Sequence, residues 1–207
     1  MKHELLLNKV EDFFSQRIVK YGATPAASDY NSREAQEIRF EQLLKLIDNS
    51  REFSLNDYGC GYGALAHFMH AKGYKFNYYG FDISEPVINE AKKVMPVDVN
   101  WTFFCDSSHL NMADYSIACA IFNNKFEADV DDWELYILDS LRIMSSISGK
   151  GFAFNMLTKY SDKEKMRPDL YYGDPLFYFD FCKTTFSRNV ALLHDYELYD
   201  FTIIVRL

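Results

Sequence analysis

At 207 residues, 48% of them hydrophobic, the chain is long enough to bury one full-sized core, and no Pro-, Gly- or Ser-rich linker divides it. A net charge of −8 and an isoelectric point near 5.1, without a dense Lys/Arg patch, argue against nucleic acid as a partner. Charges interrupt the apolar start "MKHELLLNKVEDFF" and no spanning segment follows, so the expectation is one soluble, cytoplasmic domain over residues 1–207 with no membrane partner. Cys60, Cys105, Cys119 and Cys182 form no C-x-x-C pair, so neither a metal site nor a disulfide framework is expected.

Residues 1–50 read as a helical attachment, with helices over 10–19 and 35–47 flanking the loop "YGATPAASDYNSRE", in which Asn31 and Glu34 suit a capping-box-like start. β-forming apolar runs then recur at 53–58, 76–81, 99–105, 115–122 and 151–157, separated by stretches of helical spacing. Leu65, Phe68 and Met69 mark one helix, and Val87, Ile88, Ala91 and Val94 mark another behind an N-cap at Ser84. Trp133, Tyr136, Ile137, Leu141 and Met144 mark a third. Short strands without strict alternation, joined by helices, predict an α/β, doubly wound parallel sheet covered on both faces, with ligands outside the strands' carboxyl ends. An aromatic insertion spans 158–186, and "NVALLHDYELYDFTIIVRL" closes the chain as a hairpin about a tight turn.

The stretch "LNDYGCGYGALAHF" follows the first strand and opens a helix, so its glycines free the backbone for close approach of a ligand at a helix N-terminus. Gly59-Cys60-Gly61-Tyr62-Gly63-Ala64 satisfies both G-x-G-x-G and the dinucleotide-type G-x-G-x-x-A. Asp57 precedes the first glycine by two residues, and Asp82 ends the second strand, where a carboxylate accepts from ribose hydroxyls. A nicotinamide cofactor and any other ribose-bearing cofactor stay open at this point. Gln36 and Arg39, on the helix before the first strand, are candidates for a carboxylate on that ligand. The loop tyrosines Tyr21, Tyr30, Tyr171 and Tyr172 are candidate covers for the site.

Taken in order, "NDYGCGYG", "YYGFDIS", "FFCDSS" and "DYSIACAIFNN" resemble the successive cofactor motifs of the class I S-adenosylmethionine-dependent methyltransferases. The resemblance runs from about Leu55 to Leu157, and the terminal hairpin continues it. It implies a Rossmann-like sheet of seven strands in the order 3-2-1-4-5-7-6 with strand 7 antiparallel, plus the N-terminal helices. Carried over by position, Asp57 and the backbone of Tyr58, Gly59, Gly61 and Gly63 would hold the methionine end of S-adenosyl-L-methionine. Asp82 would take the ribose, Ile83 the adenine face, and Asp106 with Ser107 the adenine edge. Phe122 and Asn123 would lie beside the sulfonium. "IFNN" departs from the N-P-P-Y type motif of many enzymes that methylate exocyclic amino groups of bases or glutamine amides, which argues against those acceptors.

The acidic balance and the lack of an accessory module favour O- or N-methylation of a small molecule, with selectivity set by the N-terminal helices and by 158–186. A hydroxyl or ammonium acceptor needs a base; parallel placement of the sixth strand brings His194 to the substrate edge, with Asp174 and Tyr172 as rival contributors. Other readings are a methyltransferase of protein side chains, a nicotinamide-dependent oxidoreductase, and a non-catalytic cofactor-binding protein.

Overall fold

Six consecutive residues, Phe53–Tyr58, form β1, and all but Ser54 are buried, as expected of a strand covered on both faces. The computed structural model describes residues 2–207, with side chains from residue 7 onward. In chain order the elements are α1 (Lys2–Tyr21), α2 (Arg33–Leu44), β1, α3 (Ala64–Ala71), β2 (Phe76–Phe81), α4 (Glu85–Val94), β3 (Thr102–Phe104) and β4 (Ala113–Ala118). Then come α5 (Val130–Ser146), β5 (Ser148–Leu157), α6 (Pro175–Thr185), β6 (Asn189–Leu193) and β7 (Asp200–Arg206).

The strands form one sheet in the order β3-β2-β1-β4-β5-β7-β6, as the sequence implied. β1 to β5 run parallel, and β7 is antiparallel to both neighbours, so β6 regains the direction of β5. Two apolar clusters occupy the two faces. Leu43, Leu65, Met69 and Ile88 from α2, α3 and α4 pack on one, and Trp133, Ile137, Leu141 and Tyr178 from α5 and α6 pack on the other. Neighbouring residues of β7 divide between them, Ile204 to the first cluster and Ile203 and Val205 to the second, which is the period-two alternation of a strand. Each fully buried Leu or Met contributes roughly 1.5–3 kcal/mol of transfer free energy.

Several boundaries differ from the sequence reading. α1 starts earlier than residue 10, and α2 is capped by Ser32, not Asn31: the Ser32 hydroxyl accepts from the Ala35 amide at 3.1 Å. β3 keeps three residues because it is an edge strand paired only with β2. β4 leaves the sheet at Cys119, and Ala120 turns with φ 58°. Six residues, not a tight turn, join β6 to β7. Residues 158–186 contain a short 3₁₀ turn (Lys163–Lys165) and α6, which packs beside β6 and β7.

Candidate cofactor site

At the carboxyl ends of β1 and β2 the chain turns sharply, and the Gly59 and Cys60 amides both donate to the Phe81 carbonyl. Gly59 takes φ +81°, and a Cβ there would come within 2.3 Å of Ile121, so this glycine serves close packing. Gly61 differs. At φ +55° its Cβ would meet only the Ser28 hydroxyl at 3.4 Å, because the space above it is the cavity. That cavity holds about 1000 Å³ of empty space with its open mouth included, within the range of small-molecule sites.

Two carboxylates define its floor. Asp57 is buried and accepts from the Tyr78 hydroxyl at 2.7 Å. Asp82 accepts from the Gly61 amide and the Ser84 amide, each at 3.0 Å. Burial pushes Asp57 up to about 7, against the Tyr78 hydrogen bond and with help from the Asp82 charge. Burial likewise pushes Asp82 up to about 6, although both amide bonds favour its ionised form. No Lys, Arg or His is among the described residues that line the cavity.

The roof comes from the N-terminal helices. Leu7, Val10, Phe14 and Ile18 recur at three- and four-residue spacing on α1 and line one wall. Gln36 of α2 lines another, and its side-chain oxygen accepts from the Tyr62 hydroxyl at 3.4 Å. On the side of β4, Cys119, Ala120 and Ile121 face inward together with Tyr30, whose hydroxyl lies 3.2 Å from the Cys119 sulfur. Burial pushes the Cys119 thiol up to about 12, so it stays neutral.

The structure brings Gln36, Asp57, Tyr58, Gly59, Gly61, Asp82 and Ile83 to this one cavity, while Gly63 sits just behind as the N-cap of α3. It does not bring the other expected residues there. The Arg39 guanidinium is spent on Asp200, on the Ala35 carbonyl and over the Tyr30 ring. Asp106 is exposed and accepts from the Ser108 amide at 2.8 Å as the cap of a short turn, and Ser107 follows it outside the lining. Phe122 is wholly buried with its carbonyl accepting from the Trp133 indole, and the Asn123 side chain accepts from the Leu157 amide. Both turn inward because β4 ends four residues earlier than the apolar run suggested.

The catalytic candidates do not meet at the cavity either. His194 is exposed between the rings of Tyr160 and Phe201, at centroid distances of 6.0 and 6.3 Å. Asp174 caps α6 and pairs with Lys159, and the Tyr172 hydroxyl accepts from the Arg167 amide. No side chain of 158–186 lines the cavity, so the N-terminal helices alone form the roof that both segments were expected to share. The sequence reading placed a helix over 10–19, but not the surface its apolar face covers.

A doubly wound sheet of this order, with a glycine cradle and an acid ending the second strand, defines the class of Rossmann-like nucleotide-binding enzymes. Comparison with known proteins narrows that class. A family described as "Methyltransferase domain" matches residues 56–145. "Putative methyltransferase Rv1506c" of Mycobacterium tuberculosis is 44% identical over 163 residues, covering 79% of this chain and 98% of that protein. Among solved structures, the magnesium protoporphyrin IX methyltransferase of Synechocystis PCC 6803 superposes with a TM-score of 0.67 at 18% identity, over 96% of this chain and 98% of that one. The plantazolicin methyltransferase BpumL gives 0.63 at 14% identity, over 100% and 99%. The chain belongs to the class I S-adenosylmethionine-dependent methyltransferases, and S-adenosyl-L-methionine is its cofactor. The nicotinamide reading falls with that membership. The cradle fits the cofactor: Gly61 is open to it, and the carboxylates of buried Asp57 and half-buried Asp82 have no cation facing them among the described residues.

Proposed function

We propose that this protein methylates a hydroxyl or amine of a small molecule, and that the acceptor enters beneath the N-terminal helices. The supporting observation is a single cavity that joins the cradle to the end of β4 and is roofed by α1 and α2. The bound cofactor supplies an already activated methyl group, so the protein's task is to hold two reactants in line and keep water out. Asp82 would accept from the ribose hydroxyls and Ile83 would lie against the adenine. Asp106 and Ser107 stand next door at the end of β3, where the Asp82 amide donates to the Phe104 carbonyl, and would meet an adenine edge reaching past Ile83. Asp57 and Gln36 would take the methionine end.

Tyr30, whose hydroxyl lies 3.2 Å from the Cys119 sulfur at the end of β4 and keeps its proton because burial raises it, would be better sited than His194, Asp174 or Tyr172 to touch an acceptor. Apolar residues of α1 would desolvate the pair. The acidic chain and the lack of cationic residues among the described lining support an acceptor without phosphate groups. The test is transfer of label from [methyl-³H]S-adenosylmethionine into a cell extract, followed by ultrafiltration. Label in the small-molecule filtrate supports this reading. Label in retained protein assigns the activity to protein side chains, and no label at all beside normal cofactor binding assigns a non-catalytic role.

A further inference from the structure

The cofactor site has an unbalanced charge. Asp57 on β1 faces Tyr78 from β2, Cys60 from the turn, Asp82 at the end of β2 and Cys119 at the end of β4. Glu11 approaches Asp82 from α1. Both thiols are held neutral by burial, and the Tyr78 phenol, buried beside Asp57, is raised and keeps its proton. The guanidinium of Arg39 is paired with Asp200 instead. Among the described residues, every group facing Asp57 is therefore neutral or acidic.

Given the cofactor reading above, on which this inference rests, we propose that Asp57, positioned by Tyr78, couples cofactor loading to loss of a proton. The aspartate receives the ammonium of the methionine end as a carboxylate, and its proton leaves to solvent. A ligand with that ammonium restores the missing positive charge, whereas an adenosine lacking it does not. The balance is one proton released for one cation bound. Burial raises the carboxylate towards neutrality in the free protein, so the coupling falls in the physiological range.

The coupling is read by titration calorimetry of the whole protein between pH 5.5 and 8.0, using S-adenosylhomocysteine, which carries the ammonium, and 5′-methylthioadenosine, which lacks it. S-adenosylhomocysteine affinity should fall about 100-fold from pH 8.0 to 5.5, about 30-fold of it through Asp57 and a few-fold through Asp82, since each pH unit below a group's transition costs about tenfold. Its enthalpy should vary with buffer ionisation heat as one proton leaves. Methylthioadenosine should lose only a few-fold, about what Asp82 imposes through the ribose. Asp57→Asn should bind S-adenosylhomocysteine weakly without the dependence centred near neutrality. Tyr78→Phe removes the hydroxyl that favours the carboxylate and should move the transition to higher pH, which a merely structural role would not do. A flat S-adenosylhomocysteine profile, or one that Asp57→Asn and Tyr78→Phe both leave unchanged, overturns the coupling while cofactor binding stands. Failure of the folded wild-type protein to bind S-adenosylhomocysteine at any pH overturns both.

Discussion

Two acidic centres lie at the same edge of the sheet, and the fold treats them differently. Asp200, paired across the sheet with Leu157 at the end of β5, is completely buried and holds the Arg39 guanidinium as well as the Asn155 amide. Asp57 is buried and Asp82 half-buried, yet among the described residues they receive only a phenol and two backbone amides, and they look onto the cavity. A buried carboxylate without a counter-charge costs stability, so a protein keeps one where a ligand returns the charge. The paired acid is architecture, tying α2 and the loop before it to β7. The unpaired acids line the cavity in which the cofactor is proposed to bind.

The sharpest break of this contrast is to strip the architectural acid of its partner. Arg39→Met should destabilise the protein by about 3–5 kcal/mol in urea titration, because it strands a buried charge. Added Asp200→Leu should recover much of that loss. Protein that remains folded should still bind S-adenosylhomocysteine. Lost binding with unchanged stability would move Arg39 to the cofactor's carboxylate, where the sequence reading had placed it.

Gly61→Val attacks the other centre. A β-branched side chain at φ +55° is strained and enters the cavity, so S-adenosylhomocysteine affinity should fall at least about 100-fold while the melting temperature moves far less. Asp82→Ala should cost about ten- to a hundredfold in affinity, in line with hydrogen bonds to a charged acceptor of about 1.5–3 kcal/mol, and little in stability. Equal affinity in a folded Asp82→Ala protein would remove the ribose role.

Without ligand, the unpaired acids also make stability depend on pH. Their folded pKa values lie above the unfolded ones, so the stabilisation they bring is complete below about pH 4 and is lost as pH rises through 6 and 7. Exposed carboxylates with lowered pKa values, such as Asp106 and Asp174, are ionised throughout that range and do not oppose the trend. The ligand-free protein should therefore gain about 2 kcal/mol between pH 8 and 5.5 relative to Asp57→Asn, measured by thermal melting in matched buffers. The smallest effect is expected at His194, which is exposed and outside the cavity: His194→Ala should change stability by less than about 0.5 kcal/mol and leave S-adenosylhomocysteine affinity unchanged. A large loss of methyl transfer in that variant would bring the hairpin back into the site.

Local chemistry by itself determined the parallel strands β1 and β2 to the residue, the glycine cradle, and the acids at its rim. These signals are short-range, since a strand needs only its own apolar run and a turn only its own glycines. Strand order and the antiparallel β7 were legible through the succession of motifs. Tertiary structure decided where β4 stops: Phe122 and Asn123 continue an apolar run, yet the pocket under Trp133 and the free amide of Leu157 draw them inward and leave Cys119, Ala120 and Ile121 at the cavity. It also decided that Arg39 faces Asp200, a partner 161 positions away that no periodicity announces. The same holds for α1, whose helix was legible over 10–19, while the surface it covers exists only once β1, β2 and β4 have brought their ends together.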